Sequence, residues 1–206
     1  MNRTTLVVLK ILTWIACLWL AAQLVWGAIT NNLGPDPTAR IAFSTGLATL
    51  YLLTLTLAVT PLRRIWPRLG WLIKFRRLLG LFAFFYATLH MLTYVALYSG
   101  FSLAAMESDI ARRRFITMGV AAYILLVPLA LTSTTWAIRK LGGRNWNRLH
   151  KLVYVAVICG VIHYWWQVKT GVLKPLDITI VVAVLLLARP VINLVQRRRS
   201  RSSVPA

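Results

Sequence analysis

The stretch Leu149 to Lys169, LHKLVYVAVICGVIHYWWQVK, is long and apolar enough to cross a bilayer as a helix, and it carries His150 and His163, two of the three histidines in the chain. Thirteen residues separate them. At about 1.5 Å and about 100° per helical residue they lie roughly 20 Å apart along the axis and point to nearly opposite sides. Each must therefore look to a different neighbour. Ionisable residues inside a span are costly and mark function by default, and imidazole at membrane depth is the usual axial ligand of a haem.

Outward from this stretch, the rest of the chain is of the same kind. Hydrophobic residues make up 59% of the 206 and only four residues are acidic, which places the chain among integral membrane proteins. The formal charge of +20 does not point to nucleic acid, because the cations sit between apolar runs and form no basic face on a soluble domain. Six spans are expected, at about 7–29, 41–60, 78–99, 115–135, 149–168 and 176–195, so that residues 1–196 form an all-α six-helix transmembrane bundle and 197–206 a basic cytoplasmic tail. The first run lacks a small-residue cleavage site and reads as a retained span. The second is expected to end at Pro61. The segments between spans read as loops: Thr30 to Arg40, Leu62 to Arg77, Gly100 to Arg114, the tryptophan-rich TTWAIRKLGGRNWNR, and Lys169 to Pro175. Cys17 and Cys159 fall within spans, where a thiol behaves as a small hydrophobe.

Of the 24 cations, 18 fall at the two termini and in the second and fourth loops, and six in the others. The positive-inside rule then puts both termini in the cytoplasm. The third and fifth helices both run from inside to outside, and His90 and His163 each lie about 18 to 21 Å from the inner edge. They reach one level in the outer half. Two imidazoles facing each other there are what a low-spin b-type haem requires. His150 sits a span lower, at the cytoplasmic interface. Arg76 and Arg77 near that level either bind an anionic group or serve topology alone, and the aromatic run around His90, FAFFYATLHMLTY, is either a porphyrin wall or plain packing.

The segments FRRLLGLFAFFYATLHMLTY (75–94), TSTTWAIRKLGGRNWNRLHKLVYVAVICGVIHYWWQVK (132–169) and LGPDP (33–37) resemble the MsrQ (YedZ) family, the haem-binding membrane subunits of periplasmic methionine sulfoxide reductase systems. That family falls within the ferric reductase-like transmembrane group, which includes the NADPH oxidases. The resemblance covers essentially the whole chain. It implies a multi-pass b-type cytochrome of the bacterial inner membrane carrying one or two haems b, with FMN as a further cofactor. It also implies a quinone or a cytosolic flavin reductase as donor and a heterodimer with a periplasmic molybdopterin methionine sulfoxide reductase, for repair of oxidised proteins. The chain would be the electron-transfer subunit and not the catalytic reductase.

Carried across by position, His90, His150 and His163 match the family's haem-associated histidines, with His90 and His163 on the iron. Arg76, Arg77, Arg144 and Arg148 crowd the level of His150, where a haem propionate or an FMN phosphate would be drawn to them. Thirteen and fourteen residues before His90, where the four-histidine plan of the NADPH oxidases would have another ligand, stand Arg77 and Arg76. A second haem with two histidine ligands thus lacks an obvious partner for His150. No G-x-G-x-x-G is present, so the chain is not expected to take hydride from NADPH itself. Two other classes stay open on the residues: a stand-alone transmembrane ferric or oxygen reductase, and a non-redox haem-handling membrane protein.

Overall fold

A computed structural model describes residues 2–168 and 174–202. The stretch 169–173, most of the expected fifth loop, and 203–206, the end of the expected tail, lie outside the described residues. The architecture is helical throughout: α1 (Arg3–Ile29), α2 (Pro37–Ile65), α3 (Ile73–Thr93), α4 (Leu103–Arg112), α5 (Arg114–Leu131), α6 (Thr135–Leu149), α7 (Leu152–Gln167) and α8 (Lys174–Ser202). No strand occurs among the described residues. Among the described residues five segments are long and apolar enough to cross a membrane: α1, α2, the Pro67–Tyr98 unit containing α3, α5 and α8. The pair α6 and α7, bent by 44° where they meet, brings the number to six.

Local chemistry explains the helix starts. Asn2, Asp36, Ser102 and Thr134 each turn a side-chain oxygen onto a backbone N–H three residues on, which satisfies one of the amides a helix leaves without a partner. Pro37 follows Asp36 at the first position of α2, where its missing N–H costs nothing.

Three expectations about the connections are corrected. Pro61 does not end the second helix; α2 runs through it to Ile65, as a membrane helix can when neighbours satisfy the freed groups. The second loop is then a short 3₁₀ turn, Pro67–Leu72, and Lys74, Arg76 and Arg77 belong to the first turns of α3. The third and fourth loops contain helices, α4 and α6, the latter kinked at Gly142 in a left-handed conformation (φ 72°) open to glycine. The basic tail is also helical where described, since α8 continues to Ser202.

The stretch from Leu149 onward is likewise not one helix. His150 caps the C-terminus of α6, and α7 starts only at Leu152. The tight bonds Lys151 N–H to Arg148 O (3.1 Å) and Tyr154 N–H to Lys151 O (3.0 Å), each spanning three residues, turn the chain there. The straight-helix separation expected between His150 and His163 therefore does not apply.

The packed interior is built from α2, α3, α5, α7 and α8, with Leu50, Leu53, Leu57, Ala83, Leu126, Ala156, Val157 and Ile178 among its members. Ala83 and Ala156 are both completely buried. Small residues of this kind let helix backbones approach closely where lipid supplies no hydrophobic drive between helices. Helix α1 lies outside this interior, with Trp19, Trp26 and Ile29 exposed on an apolar surface that suits lipid. Its attachment is specific: Trp14 meets Phe82 edge to face at 4.8 Å, and the buried Tyr86 hydroxyl donates to Cys17 O while accepting from Ala21 N–H.

Candidate functional site

His90 on α3 and His163 on α7 come together in the middle of the bundle, their ring centroids 5.8 Å apart and their planes at 81°. Each ring is anchored from behind by a backbone carbonyl of the helix beside it. His90 Nδ1 lies 2.8 Å from Ala42 O of α2, and His163 Nδ1 lies 2.6 Å from Phe115 O of α5. A carbonyl only accepts, so each Nδ1 must carry the proton and donate it. In a neutral imidazole that leaves Nε2 with its lone pair, and neither Nε2 has a hydrogen bond among the described residues. This is the arrangement that fixes the tautomer and raises the basicity of metal-ligating histidines.

The spacing fits a shared ion. A metal–imidazole bond of about 2 Å on each side, with the half-width of each ring added, separates two centroids by roughly 6 Å. Among the described residues, no cluster of three or more His, Cys, Asp or Glu is placed to hold a metal ion. Two imidazoles alone do not close a four-coordinate site for a bare ion. They suit a metal whose remaining positions come with a macrocycle, as in haem. Tyr164, beside His163, faces Phe43, beside Ala42, at 6.2 Å, and Phe115 stands 6.0 Å from the His163 ring. Phe115 thus places an apolar ring against His163.

His150 lies apart. Its ring stacks on Trp146 at 3.8 Å with 28° between planes, and its Nδ1 reaches Trp146 O at 3.1 Å. The indole is itself held by a bond from Trp146 Nε1 to Thr132 O at 2.9 Å. Among the described residues His150 Nε2 is buried with no hydrogen bond of good geometry, and the backbone of Leu129 is close enough to act on the ring. Of the four arginines expected near this level, Arg76 is half-buried and close enough to act electrostatically on His150, whereas Arg77, Arg144 and Arg148 are exposed. Phe84 and Tyr123 stack at 5.7 Å, with the Tyr123 hydroxyl 3.3 Å from Thr88 Oγ1.

Sequence reasoning missed Ala42, Phe115, Gly46, Gly119 and Trp146. A carbonyl partner has no side-chain signature. A signal for the two glycines was present, however. Gly46, Leu53, Ala83 and His90 recur, shifted by 73 residues, as Gly119, Leu126, Ala156 and His163, and the same offset takes Ala42 to Phe115. The α2–α3 and α5–α7 pairs are thus two copies of one arrangement, and the histidine pair joins the copies.

The comparisons with known proteins agree with this architecture. Residues 38–161 match the family described as ferric reductase like transmembrane component. A relative from Herminiimonas arsenicoxydans is 45% identical over 89% of this chain and 85% of its own length, and one from Ralstonia nicotianae is 46% identical over 85% and 80%. A third, from Rhodospirillum rubrum, is 42% identical over 93% and 91%. All three carry the name protein-methionine-sulfoxide reductase heme-binding subunit MsrQ. With the family match running through both helix pairs and the relatives aligned over most of their length, the chain belongs to the ferric reductase-like transmembrane proteins and, within them, to the MsrQ family.

Proposed function

We propose that this protein is a b-type cytochrome subunit. In this reading it carries electrons from the quinone pool or a cytosolic flavin reductase across the bacterial inner membrane to a periplasmic molybdopterin methionine sulfoxide reductase. Both termini are cytoplasmic, as the distribution of cations favours. The observation that carries the reading is the pair His90 and His163, with each Nδ1 bonded to a carbonyl and each Nε2 left free. The names of the relatives support it.

A haem held by His90 and His163 would supply one-electron chemistry. The chain's own part is to hold those imidazoles. Ala42 O and Phe115 O orient the rings and keep them in the tautomer that presents Nε2. On the inner side, His150 offers a buried Nε2 beside Arg76 and the Trp146 indole. These groups suit a second anionic, planar cofactor, either FMN or another haem, at which electrons are received. Arg77, Arg144 and Arg148 add positive charge on that side.

The test is electron delivery. Purified protein in lipid nanodiscs, reduced beforehand, is mixed with the periplasmic reductase and methionine sulfoxide. The reading expects the haem absorption to reoxidise only when both are present. Fast reoxidation by oxygen or ferric ion, with no acceleration by the partner, would overturn it. Flavin and haem quantitation on the same sample checks the cofactor assignment.

A further inference from the structure

The two carbonyls that anchor the histidines lie inside intact helices, where each already receives the N–H four residues on. For Ala42 O that donor is Gly46, with the Thr45 hydroxyl also reaching it at 3.1 Å, and for Phe115 O it is Gly119. A side chain one turn after a carbonyl normally shields it from a neighbouring helix, because helical side chains lean toward the N-terminus and cover the turn before them. Here both covering positions are glycine. A Cβ built on Gly46 would lie 3.2 Å from both His90 Nδ1 and Cε1, and one on Gly119 would lie 2.8 Å from His163 Nδ1 and 3.0 Å from Cε1. The imidazoles occupy the space that a methyl group would fill.

We infer that Gly46 and Gly119 are positioning residues for the two imidazoles: lacking a Cβ, each opens the carbonyl one turn before it to an imidazole N–H, and so selects the tautomer that leaves Nε2 free. The geometry occurs twice, on different helices and at the same 73-residue offset as the histidines themselves. Among the described residues no other glycine has a histidine ring against it. A Cβ on Gly80 would come no nearer than 3.9 Å to the Thr56 side chain, and one on Gly160 no nearer than 3.6 Å to that of Leu50. An alanine fits at either.

The consequence for redox chemistry rests on the reading of His90 and His163 as haem ligands; the tautomer itself does not. An imidazole that donates from Nδ1 is a stronger donor at Nε2 and favours the more oxidised iron. Losing that bond moves the midpoint potential upward.

Gly119→Ala, Gly46→Ala, Gly80→Ala and Gly160→Ala are each prepared in the full chain. The histidine nitrogens are read by ¹⁵N NMR in the reduced protein, beside spectroelectrochemical titration. Gly119→Ala is expected to abolish or displace the hydrogen-bonded Nδ1–H signal of His163 and shift the potential upward. Gly46→Ala should do the same to His90 with a smaller shift, and Gly80→Ala and Gly160→Ala should match the parent. Should Gly119→Ala not fold, Gly46→Ala carries the same test against its looser contact. A parental Nδ1–H signal in both Gly119→Ala and Gly46→Ala overturns the inference. A changed signal with an unchanged potential upholds the glycines as positioning residues and overturns the assignment of the histidines to haem.

Discussion

On the topology proposed above, the outer level of the bundle holds His90 and His163 and the inner level His150, and the 73-residue offset carries over at the first and breaks at the second. At the outer level both copies contribute a histidine, each held by a carbonyl and seated over a glycine. At the inner level the 73-residue offset pairs His150 with Arg77. One copy has kept an imidazole there and the other carries a guanidinium, a permanent cation that cannot ligate a metal in its charged form. The repeat therefore makes a symmetric two-imidazole site where its copies agree and a one-sided, positively charged site where they differ. The first suits an iron held from both faces. The second suits an anionic cofactor at the membrane edge.

If the missing second imidazole is what sets the inner level apart, supplying it should have a large effect. Arg77→His is expected to raise the haem content per chain toward twice that of the parent, measured by pyridine haemochrome against protein concentration. An unchanged ratio would mean that the offset no longer reflects proximity at the inner level. The reverse change isolates the outer level: His150→Ala should leave the low-spin spectrum of the outer pair in place while slowing reduction from the cytoplasmic side, followed by stopped-flow absorption. Loss of the outer spectrum in His150→Ala would show that the levels are not independent.

The two copies should also be equally tight at their matched contact. Ala83→Leu and Ala156→Leu each force a large side chain into a completely buried position and should each cost about 1 to 3 kcal/mol. Thermal unfolding in detergent that found one tolerated and the other severe would break the symmetry of packing. The smallest expected effect lies where the repeat has no counterpart, at α1. Tyr86→Phe removes the hydroxyl that bridges Cys17 and Ala21 and should cost about 1 kcal/mol. It should also increase amide exchange around those two residues without altering the haem spectrum.

Much of this was open to reading in the sequence, because bilayer physics is written plainly in apolar run length. The membrane helices, and the meeting of His90 with His163, followed from span length and depth alone. The helices α4 and α6 did not, since short polar segments between spans look the same whether coiled or helical. The turn at His150 was missed because no glycine or proline marks it; its cause is the pair of tight backbone bonds around Lys151. The carbonyls of Ala42 and Phe115 could not be read from residue type. Gly46 and Gly119 could have been found by aligning the chain with itself, since an internal repeat makes a glycine beside each histidine conspicuous.

The central claim is that His90 and His163 bind one haem iron from opposite sides. It is tested most directly by electron paramagnetic resonance and haem quantitation on the ferric parent protein, His90→Ala and His163→Ala, each confirmed to be inserted in the membrane. The account predicts one low-spin signal in the parent that disappears in both variants, with haem lost or converted to a high-spin form. Persistence of that signal in either variant would contradict it.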